Sequence, residues 1–158
     1  MSRSGYTDDG DYDELAMGRW RGQVRSAMRG KRGQALLRDL VAALDAMPEK
    51  RLVRGALEDE EGSVCALGAV CKKRGVPMPK IEYDDAPEDW SGTLGATLDI
   101  AEQLAAEVMH VNDEWGPYNQ TPEGRWQTVR QWAAGQLERV DREAAKKASA
   151  NVELGSND

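Results

Sequence analysis

Apolar residues recur at three- and four-residue steps along most of this chain, the spacing of amphipathic helices. From Asp13 to Arg29, the residues Ala16, Trp20, Val24, Ala27 and Met28 define one apolar face of a first helix. Arg21, Arg25 and Arg29 follow at four-residue steps on the far side, a basic stripe along the helix. Gly18 and Gly22 weaken this segment in isolation, so its helicity depends on tertiary packing. Gly30-Lys31-Arg32-Gly33 reads as a tight connection. A second amphipathic helix follows, carried by Leu37, Leu40, Val41 and Leu44, flanked by Leu36 and Met47, and stopped by Pro48. The two are expected to pair as an antiparallel helical hairpin.

Between Arg51 and Val64 the acidic stretch Glu58-Asp59-Glu60-Glu61-Gly62 reads as a turn, with a short β-hairpin as a candidate element around it. A third helix is expected from about Ser63 to Arg74, with Ser63 as N-cap, Lys72 to Arg74 complementing the dipole, and Gly75 as C-cap. The segment from Pro77 to Asp89 is loop-like, with one turn of helix after Pro87 and Trp90 tethering it to the core. Ile100, Ala101, Leu104, Ala105, Val108 and Val111 predict a fourth helix over Leu98 to Val111, ended by Asn112-Asp113 and Gly116-Pro117. Thr121-Pro122-Glu123 is the clearest helix start: a hydroxyl cap, proline in the first turn, and an acid beside the positive end of the dipole. The final helix is lined by Trp126, Val129, Ala133, Leu137, Val140 and Ala144, with Glu138–Arg142 and Glu143–Lys147 as i,i+4 pairs. The pattern therefore predicts a mainly α fold, a compact bundle of about five helices. Residues 1–12 form a flexible acidic lead-in, 13–144 one helical domain, and 145–158 a polar tail.

Composition supports that class. A chain of 158 residues is the size of one domain. Phe is absent, so aromatic burial falls to five Trp and four Tyr, whose polar atoms need partners. The net charge of −7 argues against a general affinity for phosphate surfaces. It also hides a segregation: Arg19, Arg21, Arg25, Arg29, Lys31, Arg32 and Arg38 fall between Leu15 and Arg38 without one acid, which leaves about −14 for the rest. No apolar run approaches the roughly 18 residues of a membrane span, and the polar, acidic start lacks the pattern of a secretory signal. A cytoplasmic location is expected.

Candidate chemistry is sparse. Cys65 and Cys71 stand six residues apart, roughly 600° of helical rotation, which sets their side chains about 120° apart and disfavours a disulfide within one helix. One histidine and no CxxC pair exclude an ordinary structural zinc site. Both cysteines are expected to be structural. A thiol-enzyme alternative joins Cys65 to His110 and Asp113 as nucleophile, base and orienting acid. Helical geometry opposes it, because His110 lies about 140° from the centre of the apolar face and is expected to be exposed. Asn112 continues that face and needs a hydrogen-bonding role such as a cap, while Asp113 and Glu114 are weak candidates for metal carboxylates. Gly68, in the interior of the third helix, points to close approach by another helix. No glycine fingerprint for nucleotides is present. A helix-turn-helix over Trp90 to Val111 is disfavoured by Asp99, Glu102 and Glu107, which phosphate would repel. The residues with the strongest claim to binding are Arg21, Arg25, Arg29, Lys31 and Arg32.

The run Val64 to Val70, Ile100 to Leu104, Asn112-Asp113-Glu114-Trp115-Gly116 and Thr121-Pro122-Glu123 resembles small uncharacterised proteins encoded by bacteriophages and prophages. Ser2-Arg3-Ser4-Gly5-Tyr6 and Arg29 to Ala35 are similar to the same group, and the likeness extends to about Leu137. His110 and the charged tail depart from it. The resemblance implies a phage-related origin and a helical fold, and carries over no activity or catalytic residue. Proteins of that kind often bind host proteins. The leading expectation is therefore a non-enzymatic accessory protein, without cofactor or metal, that binds a host or phage protein. A nucleic-acid-binding regulator using the basic first helix stands second and the Cys65 enzyme third.

Overall fold

The computed structural model describes residues 2–6, 14–82, 84–117 and 120–155, with side chains as far as 152. Six helices are present among them: α1 Glu14–Arg29, α2 Lys31–Ala46, α3 Ala66–Arg74, α4 Pro87–Leu98, α5 Glu102–Glu114 and α6 Pro122–Gly155. The bundle expected from the pattern is there, and the candidate hairpin reduces to one antiparallel bridge between Glu58 and Val64. No helix among the described residues is long and apolar enough to cross a membrane.

Two helices organise the rest. α2 packs against α1, α3 and α6, and α5 against α1, α3, α4 and α6. The apolar positions of α2 explain its place: Leu36, Leu37, Leu40 and Leu44 are all fully buried. In α5, Leu104, Ala105, Val108 and Val111 are likewise inaccessible. Burial of such a stripe is the main source of stability for helices of this length, which are marginal alone.

The junctions differ from the expected ones, each for a local reason. Gly30 alone separates α1 from α2, and Lys31-Arg32-Gly33 is the first turn of α2 rather than a connection. The corner is that tight because Gly33 has no side chain; a Cβ there would lie 1.9 Å from the Ala27 carbonyl oxygen. Gln34 is buried in the corner and donates from Nε2 to the Met28 carbonyl, satisfying one acceptor at the end of α1. α3 starts at Ala66 with Cys65, not Ser63, as its N-cap; the Cys65 Sγ accepts from the Gly68 N–H at 3.5 Å. Gly75 closes α3 in the left-handed conformation, φ 65°, as expected. The close neighbour of Gly68 is the Leu57 carbonyl in the preceding loop rather than a second helix.

The loop after Pro87 is a full helix, with Trp90, Leu94 and Leu98 turned inward at four-residue spacing. Asp99, φ 54°, ends α4 in the left-handed region, so α5 begins at Glu102 and not at Leu98. The unbroken apolar sequence across Leu98 and Ile100 hides that break. α6 opens as expected, its Thr121 Oγ1 accepting from the Gly124 N–H at 3.0 Å. Trp126 Nε1 donates to the Leu44 carbonyl and so pins α6 to the end of α2. Glu143 pairs with Arg29 across the bundle rather than with Lys147. The expected tail continues α6 to Gly155, with residues 144–152 exposed, and residues 156–158 lie outside the described set. Of the expected acidic lead-in, residues 1 and 7–12 also lie outside it, as does residue 13, whereas Ser2–Tyr6 packs onto the domain and buries Arg3.

Gly22 is exposed on α1, and a Cβ there would meet nothing within 4 Å. Gly22→Ala is expected to raise the unfolding free energy by about 0.5–1 kcal/mol, because it restricts only the unfolded chain. Urea denaturation that shows no gain would place an unseen constraint on that face.

Candidate binding site on the basic face

Of the residues proposed for thiol chemistry, Cys65 and Asp113 both contact Arg3, whereas His110 contacts Glu114 and Tyr6. Asn112 Oδ1 accepts from the Ala66 N–H at 2.9 Å and its Nδ2 donates to the Val53 carbonyl at 2.9 Å. Asn112 thus ties the start of α3 and the 52–57 loop to α5. Asp113 accepts from the Gly55 N–H at 3.1 Å and grips Arg3 through both oxygens, at 2.6 Å to Nε and 2.9 Å to Nη2. The Arg3 and Asp113 side chains are only 4% and 8% exposed. Arg3 also lies 3.7 Å from the Cys65 Sγ and 5.3 Å from the centre of the Trp90 ring, where its charge faces the π-cloud.

His110 is half-buried rather than exposed. Its Nδ1 lies 2.5 Å from Glu114 Oε2, and its ring stands 4.6 Å from that of Tyr6. The segment Ser2–Tyr6 covers this side of α5, a contact that helical periodicity cannot register. No hydrogen bond joins His110 to Cys65 or Asp113 among the described residues. Nor do those residues contain a cluster of three or more His, Cys, Asp or Glu able to hold a metal ion.

Cys65 and Cys71 are both free and fully buried. Burial, with Cys65 close by, pushes the Cys71 thiol from its ordinary 9.0 up to about 11. The unfolded chain therefore loses this proton first, and the stability contributed by the neutral thiol falls as pH rises from 9 to 11. Unfolding free energy is expected to decline across that window in the native protein and less steeply in Cys71→Ala. Equal slopes would remove Cys71 as the cause.

The basic stripe is largely compensated by the chain's own acids. Arg21 Nη1 donates to Glu107, a carboxylate only 3% exposed that also accepts from the Tyr6 hydroxyl at 2.9 Å. Burial holds the Tyr6 phenol above its ordinary pKa, and Glu107 adds to the shift. Trp20 Nε1 in turn donates to that hydroxyl. Arg29 pairs with Glu143 at 3.0 Å and Arg32 with Asp99 at 3.0 Å. Arg25 and Lys31 are exposed and have no ion-pair partner among the described residues. Lys31 and Arg32 border an open hollow of about 540 Å³ at the α1–α2 corner, together with Gln23, Ser26 and Gln103.

A second cavity, of about 270 Å³, joins the stripe to two other elements. α1 contributes Arg21, Arg25 and Met28; α5 and the residue after it contribute Glu107 and Trp115; α6 contributes Trp132, Gln136 and Arg139. Trp115 is 47% exposed, a large aromatic surface left in water. Arg139 has its Nε and Nη2 shielded from solvent with no hydrogen-bond partner among the described residues. Sequence reasoning found Arg21 and Arg25 but missed Trp115, Trp132 and Arg139. The i, i+4, i+7 spacing of Trp132, Gln136 and Arg139 marks a common stripe, yet nothing in that spacing says which helix it faces. Comparison of the chain with protein-family models, curated proteins and solved structures finds no match.

Proposed function

We propose that this chain is a non-enzymatic accessory protein of the bacteriophage type its sequence resembles, acting in the cytoplasm of a bacterial host. It binds a host or phage protein through the outer side of α1 and the adjoining stretch of α6. The observation that supports this reading is the pair Arg25 and Arg139, two cations without an acidic partner among the described residues, beside the half-exposed Trp115. Arginine and tryptophan dominate the energetic centres of protein interfaces, because both combine large contact area with directional polar groups.

The nucleic-acid alternative has less support. With Arg21, Arg29 and Arg32 paired internally, the stripe offers isolated cations in place of a track that follows a backbone, on a chain of net charge −7. The thiol-enzyme alternative requires an accessible Cys65, and that side chain is fully buried against Arg3.

Pull-down from bacterial lysate tests the reading, comparing the native chain with Arg25→Glu/Arg139→Glu and with Lys31→Glu/Arg32→Glu. A partner captured by the native chain is expected to be lost from the first variant and kept by the second. An unchanged partner list in the first variant overturns the surface. Retention on DNA at about 50 mM salt, lost steeply as salt rises, would favour the nucleic-acid alternative instead.

A further inference from the structure

We infer that a polar stripe of α5 is a docking site for a partner protein's peptide segment carrying an arginine and, three residues on, a tyrosine, with Ser2–Tyr6 as its displaceable resident occupant. This surface is separate from the α1–α6 face and does not depend on it. Glu107, His110 and Glu114 recur at steps of three and four residues, with Asp113 beside them, so the four share one side of the helix. Each meets a side chain of the segment. Asp113 grips Arg3 through both oxygens, Glu114 accepts from the Ser4 hydroxyl at 3.2 Å, the His110 ring lies against that of Tyr6, and Glu107 accepts from the Tyr6 hydroxyl. Among the described residues, every hydrogen bond between the segment and the helices runs through a side chain of the segment. Its backbone N–H groups bond within it instead, Gly5 to the Ser2 carbonyl and Tyr6 to the Ser4 hydroxyl, both at 3.2 Å. Gly5, at φ 79°, permits that turn. A turn that supports itself and holds on by an arginine and a tyrosine is bound as peptide ligands are, and its release leaves the backbone bonds of the helices intact.

The contacts define what the stripe accepts. Asp113 stands at the C-terminal end of α5, where the helix dipole adds to its negative charge, and its two oxygens match the fork of a guanidinium. The Trp90 ring, 5.3 Å from the guanidinium carbon, gives that planar group a face to lie on, which favours arginine over lysine. Tyr6 sits 4.6 Å from His110 and 6.1 Å from Trp20 between ring centres, and its hydroxyl both receives the Trp20 Nε1–H and donates to Glu107. That arrangement calls for a phenol. A tethered occupant competes at an effective concentration on the order of millimolar, so Ser2–Tyr6 masks the stripe against weak ligands and yields to a segment that makes further contacts. A second copy of this chain offers the same segment and no better match, so exchange between copies gains nothing over closure within one. The occupant is therefore a different protein.

Fluorescence anisotropy of a labelled, acetylated and amidated Ser-Arg-Ser-Gly-Tyr peptide tests this, on the native chain and on Arg3→Ala, whose stripe is intact and whose own occupant is weakened. Saturable binding to Arg3→Ala is expected, and binding about tenfold or more weaker to the native chain, where only the fraction with the segment lifted is competent. Replacing the peptide's arginine by glutamine, or its tyrosine by alanine, should each cost about tenfold or more, and neither change can unfold the protein. Asp113→Asn in the Arg3→Ala background should abolish binding; with Arg3 gone it strands no buried guanidinium, so the melting temperature should hold close to that of Arg3→Ala. Equal affinity of the native chain and Arg3→Ala overturns the inference, as does equal affinity for the glutamine peptide. Indifference to Asp113→Asn overturns the stripe as the site. Concentration-dependent dimerisation of the native chain that Arg3→Ala dissolves, measured by sedimentation, overturns the partner in favour of a second copy. Loss of the lysate partner from Arg25→Glu/Arg139→Glu, with peptide binding unchanged, is the result expected if the two surfaces are independent.

Discussion

Gly68→Ala is expected to destabilise the fold by about 3 kcal/mol, the upper range for overpacking of a closed site. The added methyl would sit 2.2 Å from the Leu57 carbonyl oxygen and 3.2 Å from its carbonyl carbon, both backbone atoms that no rotamer change can move. That carbonyl accepts from the Cys65 N–H at 3.1 Å, so any shift of the loop strains the hydrogen bond that positions the cap of α3. Helix propensity alone would favour alanine by about 1 kcal/mol, and the steric effect must overcome this gain. Urea unfolding decides the matter. A loss below about 1 kcal/mol would show that the 52–57 loop yields readily. Gly22→Ala, with the opposite sign, is the control for propensity.

Asp113→Ala should cost about 3 kcal/mol, the lower end of the range for breaking a buried ion pair. The change leaves the Arg3 guanidinium buried beside Trp90 and Cys65 without its carboxylate, and removes the acceptor for the Gly55 N–H. The Ser2–Tyr6 segment can lift and hydrate Arg3, which keeps the loss from rising further. The reciprocal Arg3→Ala should cost less, about 1–2 kcal/mol, because Asp113 keeps its bonds from Gly55 and from Asn112 Nδ2 at 2.8 Å and gains water as the segment loosens. Chemical denaturation of the two variants checks the asymmetry. Equal losses would mean that Asp113 serves Arg3 alone.

Helix faces were legible because their periodicity is local. The inward positions of α2, Leu36, Leu37, Leu40 and Leu44, all lie in the core, and Thr121 caps α6 as its hydroxyl suggests. What the sequence did not show depends on partners distant in the chain. Asn112 and Asp113 read locally as a helix end, yet they bond Val53, Gly55, Ala66 and Arg3. His110 loses its exposure to Tyr6, which lies on another segment. The basic stripe was visible as a pattern, but its compensation was not, since Glu107, Asp99 and Glu143 stand 86, 67 and 114 residues from the arginines they pair with. The cavity needed all three of α1, α5 and α6 to be placed before Arg25, Trp115 and Arg139 could be seen as neighbours.

The Arg3–Asp113 pair spans 110 residues, and this separation bears on the order in which the molecule assembles. Closing so long a loop is entropically expensive until other contacts have shortened it, whereas the α1–α2 corner closes within a few residues. During synthesis Arg3 must remain solvated until α5 has emerged with Asp113, by which time α1 to α4 have left the ribosome. A segment near the start of the chain is thus among the last to settle, and it does so by sealing a core already in place.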